Sequence, residues 1–199
     1  MNVSKASKHL ILGSGSQRRL SLLNQIGVKP DLVLSPNVNE KNNPKELPIK
    51  YVRRMAIEKN KFFHEQYNQS IILTADTIVS IGKRILPKAI NKKIAEECLR
   101  LISGRRHNVF TSFTLFSPDH PIKNKTVKSI VKFKRLHEKE IAYYLESNEW
   151  EGKAGGYAIQ GKAASFVNFL SGSYSNVVGL PLAELYRMLM SIEFKLKND

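Results

Sequence analysis

The stretch Ser70 to Ile81 constrains this chain more than any other. Ile71, Ile72, Leu73, Ile78, Val79 and Ile81 make it apolar and rich in β-branched residues, the pattern of a central strand covered on both faces. Asp76 nevertheless sits inside it. Burying an unpaired carboxylate is costly, so the fold must bring a metal, a cation or hydrogen bonds to that point. At the carboxyl end of a strand in an open α/β sheet, Asp76 would face the ligand crevice, where it could hold Mg²⁺ or act as general base on water. The competing reading is a carboxylate that caps the next turn. Lys59 and Lys88 are available as phosphate partners and favour the first.

A second feature lies near the amino end. Lys8 to Leu12 reads as a short strand, Gly13 to Gln17 as a small-residue loop, and Arg18 to Ile26 as a helix on the spacing of Leu20, Leu22, Leu23 and Ile26. The loop Ser14-Gly15-Ser16-Gln17-Arg18-Arg19 leaves backbone N–H groups accessible at a helix N-terminus, where anions are favoured. Two adjacent guanidinium forks then suit phosphate oxygens. Read alone, the loop is equally a serine N-cap followed by two solvated arginines. It is neither a Walker A loop nor a GxGxxG fingerprint.

The remaining order is mixed. Expected are a strand over Asp31 to Ser35, a loop over Asn37 to Pro48, helices over Ile49 to Tyr67 and Lys92 to Ile102, and a strand over Asn108 to Phe116. A turn over Ser117 to Asn124 then leads to an antiparallel strand, Val127 to Leu136, with one wet face. A helix over Glu138 to Ser147 precedes a glycine-rich loop at 152–161, a strand at Ser165 to Ser171, a loop at Gly172 to Pro181 and a helix from Leu182 to Phe194. Helices interleaved with antiparallel pairs argue for an α/β or α+β domain with a mixed sheet.

Composition bounds the class. With 199 residues and 42% of them hydrophobic, the chain can bury a core as one domain, residues 1–199. The single cysteine, Cys98, excludes an internal disulfide or a cysteine-based zinc site and fits a reducing cytoplasm. Leu10-Ile11-Leu12 is too short for a signal-peptide core, and no apolar run approaches the roughly 18 to 20 residues of a membrane span. The net charge of +15 would attract nucleic acid non-specifically, but the lysines are spread along the chain, so no dedicated nucleic-acid surface is expected.

Three further segments carry candidate chemistry. Glu40, in a polar loop after a strand, is either a second metal carboxylate or simply solvated. Glu58 and Lys59 lie late in a basic helix, where a surface ion pair competes. Gln160, in the glycine-rich segment, offers an amide that both donates and accepts toward a base.

Taken in order, these segments resemble the Maf family of nucleoside triphosphate pyrophosphatases. The resemblance spans Ser14 to Arg19 with Leu22-Leu23, Glu40 after Ser35-Pro36, Glu58-Lys59, Ala75 to Val79, Ser103-Gly104, Gly152 to Gly161, and Gly172-Ser173-Tyr174 through Leu182. It implies a Maf/ITPase-like single domain with a central mixed, curved sheet flanked by helices. It also implies cleavage between the α- and β-phosphates, dependent on a divalent cation, Mg²⁺ or Mn²⁺. By the same resemblance Asp76 is the proton acceptor, with Lys59 and Lys88 beside it. Ser14, Arg18 and Arg19 surround the phosphates, Glu40 and Asp76 hold the metal, and Arg18, Thr77 and Gln160 affect substrate choice. Gln160 in place of glutamate is similar to the subgroup acting on dTTP and UTP, modified pyrimidine nucleotides included, rather than on 7-methyl-GTP.

One departure stands out. The family pattern Gly-Lys-Pro is replaced by Leu86-Pro87-Lys88-Ala89, which fixes φ at a different residue and could redirect Lys88. Two other classes compete with the hydrolase: a basic nucleic-acid- or division-associated binding protein that uses the pocket as a nucleotide sensor, and a nucleotidyltransferase. A homodimer is compatible with the sequence.

Overall fold

The alternation of side chains along one long strand organises the molecule, whose computed structural model describes residues 9–196. The amino-terminal unit is β1 (Leu10–Gly13), α1 (Gln17–Gln25) and β2 (Leu32–Leu34), followed by α2 (Pro48–His64) and the strand in question, β3 (Ile71–Ile81). Then come β4 (Arg84–Leu86), α3 (Lys92–Ile102), β5 (Arg106–Ser117), β6 (His120–Phe133), α4 (Glu138–Glu146), β7 (Val167–Ser171), α5 (Tyr174–Val178) and α6 (Leu182–Met190). The strands form a mixed sheet in the order β2-β1-β3-β5-β6-β7, with β4 paired to β3. β1 runs parallel to β2 and β3; the pairs β3–β5, β5–β6 and β6–β7 are antiparallel.

Period-two alternation splits the core between the two faces. Leu73, Ala75 and Val79 of β3, with Val109, Phe113 and Leu115 of β5, enter the main core together with residues of α1, α3, α4, α5 and α6. Ile78 and Phe110 turn the other way, beneath Tyr51, Val52 and Met55 of α2, and Ile72 and Phe116 pack with Phe63 farther along that helix. Thus β3 is covered on both faces, as its apolar run demands.

Two sequence expectations change, and one unexpected strand appears. The turn expected over Ser117 to Asn124 shrinks to Pro118 and Asp119, because His120 to Asn124 continues the ladder to β5 despite its polar composition. The loop expected over Gly172 to Pro181 contains the short helix α5, whose first turn is capped by the Ser173 hydroxyl accepting from Asn176 N. β4, which pairs Arg84–Leu86 back onto Val79–Ile81 around Gly82 at φ 55°, had no apolar alternation long enough to announce it.

The edge of β3 facing β1 is incompletely paired. β1 covers Ile71 to Thr74 and β4 covers Val79 to Ile81, whereas the opposite edge is paired with β5 from Ile72 to Ser80. Residues 75–78 therefore border a gap in the sheet. Alternate residues there turn their backbone N–H and C=O groups toward it. Asp76 lies in the middle of its strand; the carboxyl end that opens the crevice belongs to β1.

Candidate active site

The gap is the floor of a cleft of about 250 Å³ lined by Ser14, Arg18, Arg19, Glu40, Lys59, Asp76, Thr77 and Lys88. Eight of the nine residues expected from the sequence thus meet in one place. The ninth, Gln160, does not line it.

One side of the cleft is built by α2. Its buried stripe runs Val52, Met55, Ala56, Lys59, Asn60 and Phe63, so a lysine and an asparagine occupy apolar positions. Asn60 Nδ2 donates to the Ile72 carbonyl at 3.1 Å, and Thr74 Oγ1 donates to the Ala56 carbonyl at 2.7 Å, which fastens the helix to β3. Lys59 Nζ is thereby placed 2.6 Å from Asp76 Oδ1 and 2.6 Å from Glu40 Oε1. Lys88 Nζ bonds the other oxygen of Glu40. Tyr51, also on α2, donates its hydroxyl to the Glu40 backbone carbonyl at 2.8 Å and anchors that loop.

The charges follow from these contacts. Asp76 is 3% exposed and meets the demand for a cation through Lys59. Burial works to raise the Glu40 carboxyl, but hydrogen bonds from Lys59 and Lys88 outweigh it and hold the group at about 2. Burial above all, then the Asp76 and Glu40 charges, push the Tyr51 phenol upward, so it stays a neutral donor.

The opposite side is built by the loop after β1. Arg19 is buried and already committed: Nε donates to the Gly179 carbonyl at 2.9 Å, Nη1 to Ser14 Oγ at 2.8 Å and Nη2 to Thr77 Oγ1 at 3.0 Å. Gly179 reaches that position with φ at 140°, a backbone conformation that a side chain would strain. The two arginines of the expected phosphate clamp thus stand in different surroundings. Arg19 frames the loop, while Arg18 has no protein hydrogen bond or ion pair among the described residues. Burial, and then the neighbouring Arg19 charge, push the Arg18 guanidinium down to about 10, still charged at neutral pH. Burial and Arg18 likewise lower the Lys153 ammonium.

The glycine-rich loop closes the cleft over Lys88. Lys88 and Ala154 form an isolated antiparallel bridge, with Ala89 N donating to the Lys153 carbonyl, Gly152 N to the Ala89 carbonyl and Gly155 N to the Pro87 carbonyl. Gly155 has φ at 67°, and a Cβ there would lie 2.9 Å from Val79. The shifted proline therefore leaves Lys88 on the cleft and on Glu40, and Pro87 contributes its carbonyl to the bridge.

Gln160 is exposed in an adjoining groove of about 360 Å³ with Gln17, Arg18, Ser21, Leu22, Gln25, Tyr174 and Val178. Arg18 belongs to both cavities and marks their junction. Glu58, a weaker candidate, pairs with Arg54 one helical turn away, the surface ion pair that competed for it.

The carboxylates are compatible with a hard divalent ion. Such an ion is commonly held by one or two carboxylates, with water and substrate phosphates completing its shell. Glu40 and Asp76 supply hard oxygens on facing segments, and Asp76 Oδ2 carries no hydrogen bond to the protein among the described residues. Among those residues no cluster of three His, Cys, Asp or Glu side chains would form an all-protein cage.

Comparison with known proteins agrees with this assembly. Residues 9–192 match the model of the Maf family, described as Maf-like protein. The chain belongs to the Maf family. Its sequence is 51% identical over 182 residues to a dTTP/UTP pyrophosphatase of Zymomonas mobilis, covering 92% of this chain and 90% of that one. It is 49% identical over 181 residues to a nucleoside triphosphate pyrophosphatase of Ehrlichia chaffeensis, covering 91% and 94%. A HAM1 protein from Coxiella burnetii, 14% identical, superposes with a TM-score of 0.50 over 92% of this chain and 99% of that one, a likeness of fold alone. In this Maf protein no helix among the described residues is long and apolar enough to cross a membrane.

Sequence reasoning missed Tyr51, the Gly179 carbonyl, and the Pro87–Ala89 pairing with the glycine-rich loop. Lys59, read with Glu58 against a surface ion-pair face, is buried instead; the signal that could have shown this is the helical stripe 52, 55, 56, 59 and 63. The other three act through backbone groups or across more than ten residues of chain, and nothing in the local pattern signals them.

Proposed function

We propose that this protein hydrolyses dTTP and UTP, and modified pyrimidine nucleotides of the same shape, to the nucleoside monophosphate and pyrophosphate. The observation that carries this reading is the buried Asp76 carboxylate at the gap in the sheet, with lysines on one side and an unpartnered arginine at a helix N-terminus on the other.

In this reading the phosphates lie against Arg18, Lys88 and the first N–H groups of α1, which lack intrahelical partners. Ser14 contributes from the loop, and its hydroxyl is oriented by Arg19. Asp76 Oδ2 takes the proton of a water whose oxygen attacks the α-phosphorus, while the bond from that phosphorus to the α,β-bridging oxygen breaks and pyrophosphate leaves. Lys59 holds Asp76 in place through its 2.6 Å contact with Oδ1. A divalent cation at Glu40 and Asp76 would supply Lewis-acid neutralisation of the phosphates. Past Arg18 the groove leads to Gln160, whose amide reads the base edge.

The test is a product assay over canonical and modified triphosphates with Mg²⁺ or Mn²⁺. Expected products are monophosphate and pyrophosphate in equal amounts, with pyrimidine substrates preferred. Diphosphate plus orthophosphate would move the cleavage to the β–γ bond. No product from any triphosphate would leave the sensor reading in its place.

A further inference from the structure

Thr77 and Thr111 lie directly opposite each other on β3 and β5, and their hydroxyl oxygens are 2.9 Å apart. Thr77 Oγ1 also accepts from Arg19 Nη2 at 3.0 Å and lies 3.4 Å from the Gly179 carbonyl. Thr111 is fully buried, and its Oγ1 lies 2.9 Å from the Asn176 backbone carbonyl. Each hydroxyl has one proton, which leaves three arrangements; the one in which Thr111 donates to Asn176 and Thr77 to Gly179 sets the two hydroxyl oxygens 2.9 Å apart with no proton between them and is poor. In the first of the other two, Thr77 donates to Thr111 and Thr111 donates to Asn176, which gives two bonds of 2.9 Å. In the second, Thr111 donates to Thr77 and Thr77 to Gly179, which lengthens one bond to 3.4 Å and leaves two oxygen lone pairs facing each other at 2.9 Å inside the core. The first arrangement wins on both counts.

Its consequence reaches the cleft, which Thr77 lines and Thr111 does not. With its proton directed to Thr111 and one lone pair taken by Arg19, Thr77 turns only an acceptor toward a ligand. A phosphate oxygen would be repelled there; a donor would be held. In the nucleotide reading the base edge lies beyond Arg18 in the Gln160 groove, and the phosphates carry no donor. The donor that UTP and dTTP share between those two parts is the 3′-hydroxyl.

We propose that Thr111, out of reach of substrate, is a positioning residue that fixes Thr77 as an acceptor for the sugar 3′-hydroxyl. The inference rests on the nucleotide reading above. A hydroxyl bond of this kind is worth roughly three- to ten-fold in affinity. The wild-type protein should therefore show KM for 2′,3′-dideoxythymidine triphosphate raised by about that factor over dTTP, with kcat nearly unchanged. Thr111→Val frees the Thr77 proton, and KM for dTTP should rise toward the dideoxy value while the dideoxy substrate is unaffected. Thr111→Ser should restore the discrimination.

Equal constants for dTTP and its dideoxy analogue in the wild type would overturn this inference alone, and need no variant to fold. So would a Thr111→Val penalty of the same size on both substrates. Absence of turnover with every triphosphate would overturn the nucleotide reading and this inference together.

Discussion

The two sides of the cleft handle charge in opposite ways. On the α2 side, the carboxylates of Glu40 and Asp76 are matched by the ammonium groups of Lys59 and Lys88, a set that is neutral as a whole. On the α1 side, Arg18 and Arg19 meet no carboxylate within ion-pair distance among the described residues; burial lowers the proton affinity of both, and the Arg19 charge lowers that of Arg18 further. A neutral set can hold a carboxylate ready for proton transfer without distorting the fold. An unmatched set is costly until an anion arrives, and so favours one. The division assigns chemistry to one side and substrate capture to the other.

The comparison can be broken most sharply at Asp76. Asp76→Asn should lower kcat by roughly 10²- to 10⁴-fold while nucleotide binding, followed by calorimetry, changes little. Near wild-type turnover would remove Asp76 from its proposed role.

Next in size is Lys59→Met, which leaves two carboxylates sharing a buried space with their central cation gone. Denaturant unfolding should show a loss of about 3–5 kcal/mol. The pH dependence sharpens the same point. Glu40 is held at about 2, below the ordinary 4.5, so its contribution to stability is complete above 4.5 and is lost as pH falls toward 2. In Lys59→Met, burial is opposed by Lys88 alone, and that acid-side loss should shrink. An unaltered acid limb would mean that Lys59 does not set the Glu40 charge.

On the other side, Arg18→Ala should raise KM for triphosphates by roughly ten- to a hundred-fold with thermal stability unchanged or improved, since it removes an unpaired, half-buried charge beside Arg19. A clear drop in melting temperature would instead give Arg18 a structural role. The smallest effect is expected at Gln160→Glu, where relative kcat/KM should shift away from pyrimidine substrates by less than about ten-fold, in keeping with an exposed amide. A nucleotide panel with unchanged ratios would detach Gln160 from base recognition.

Much of this site was legible because its residues break local rules. An aspartate in a β-branched run and a pair of arginines after small residues each conflict with the element that carries them. Such conflicts are where function tends to reside. What stayed illegible was how the two arginines divide their work. Neighbours in sequence, they differ because α1 turns Arg19 inward to Ser14, Thr77 and Gly179, and Gly179 lies 160 residues away. The metal expectation met a similar limit, since the interposed Lys59 between Glu40 and Asp76 depends on how α2 docks.

By itself the sequence determined which segments would be strands or helices over most of the chain, and that Asp76 needed a partner, because periodicity and the cost of burying charge are local facts. The tertiary structure alone decided that β1 stops short and β4 begins late along one edge of β3. That pairing leaves residues 75–78 open, and side chains from both faces of a buried strand reach a single cleft through the opening.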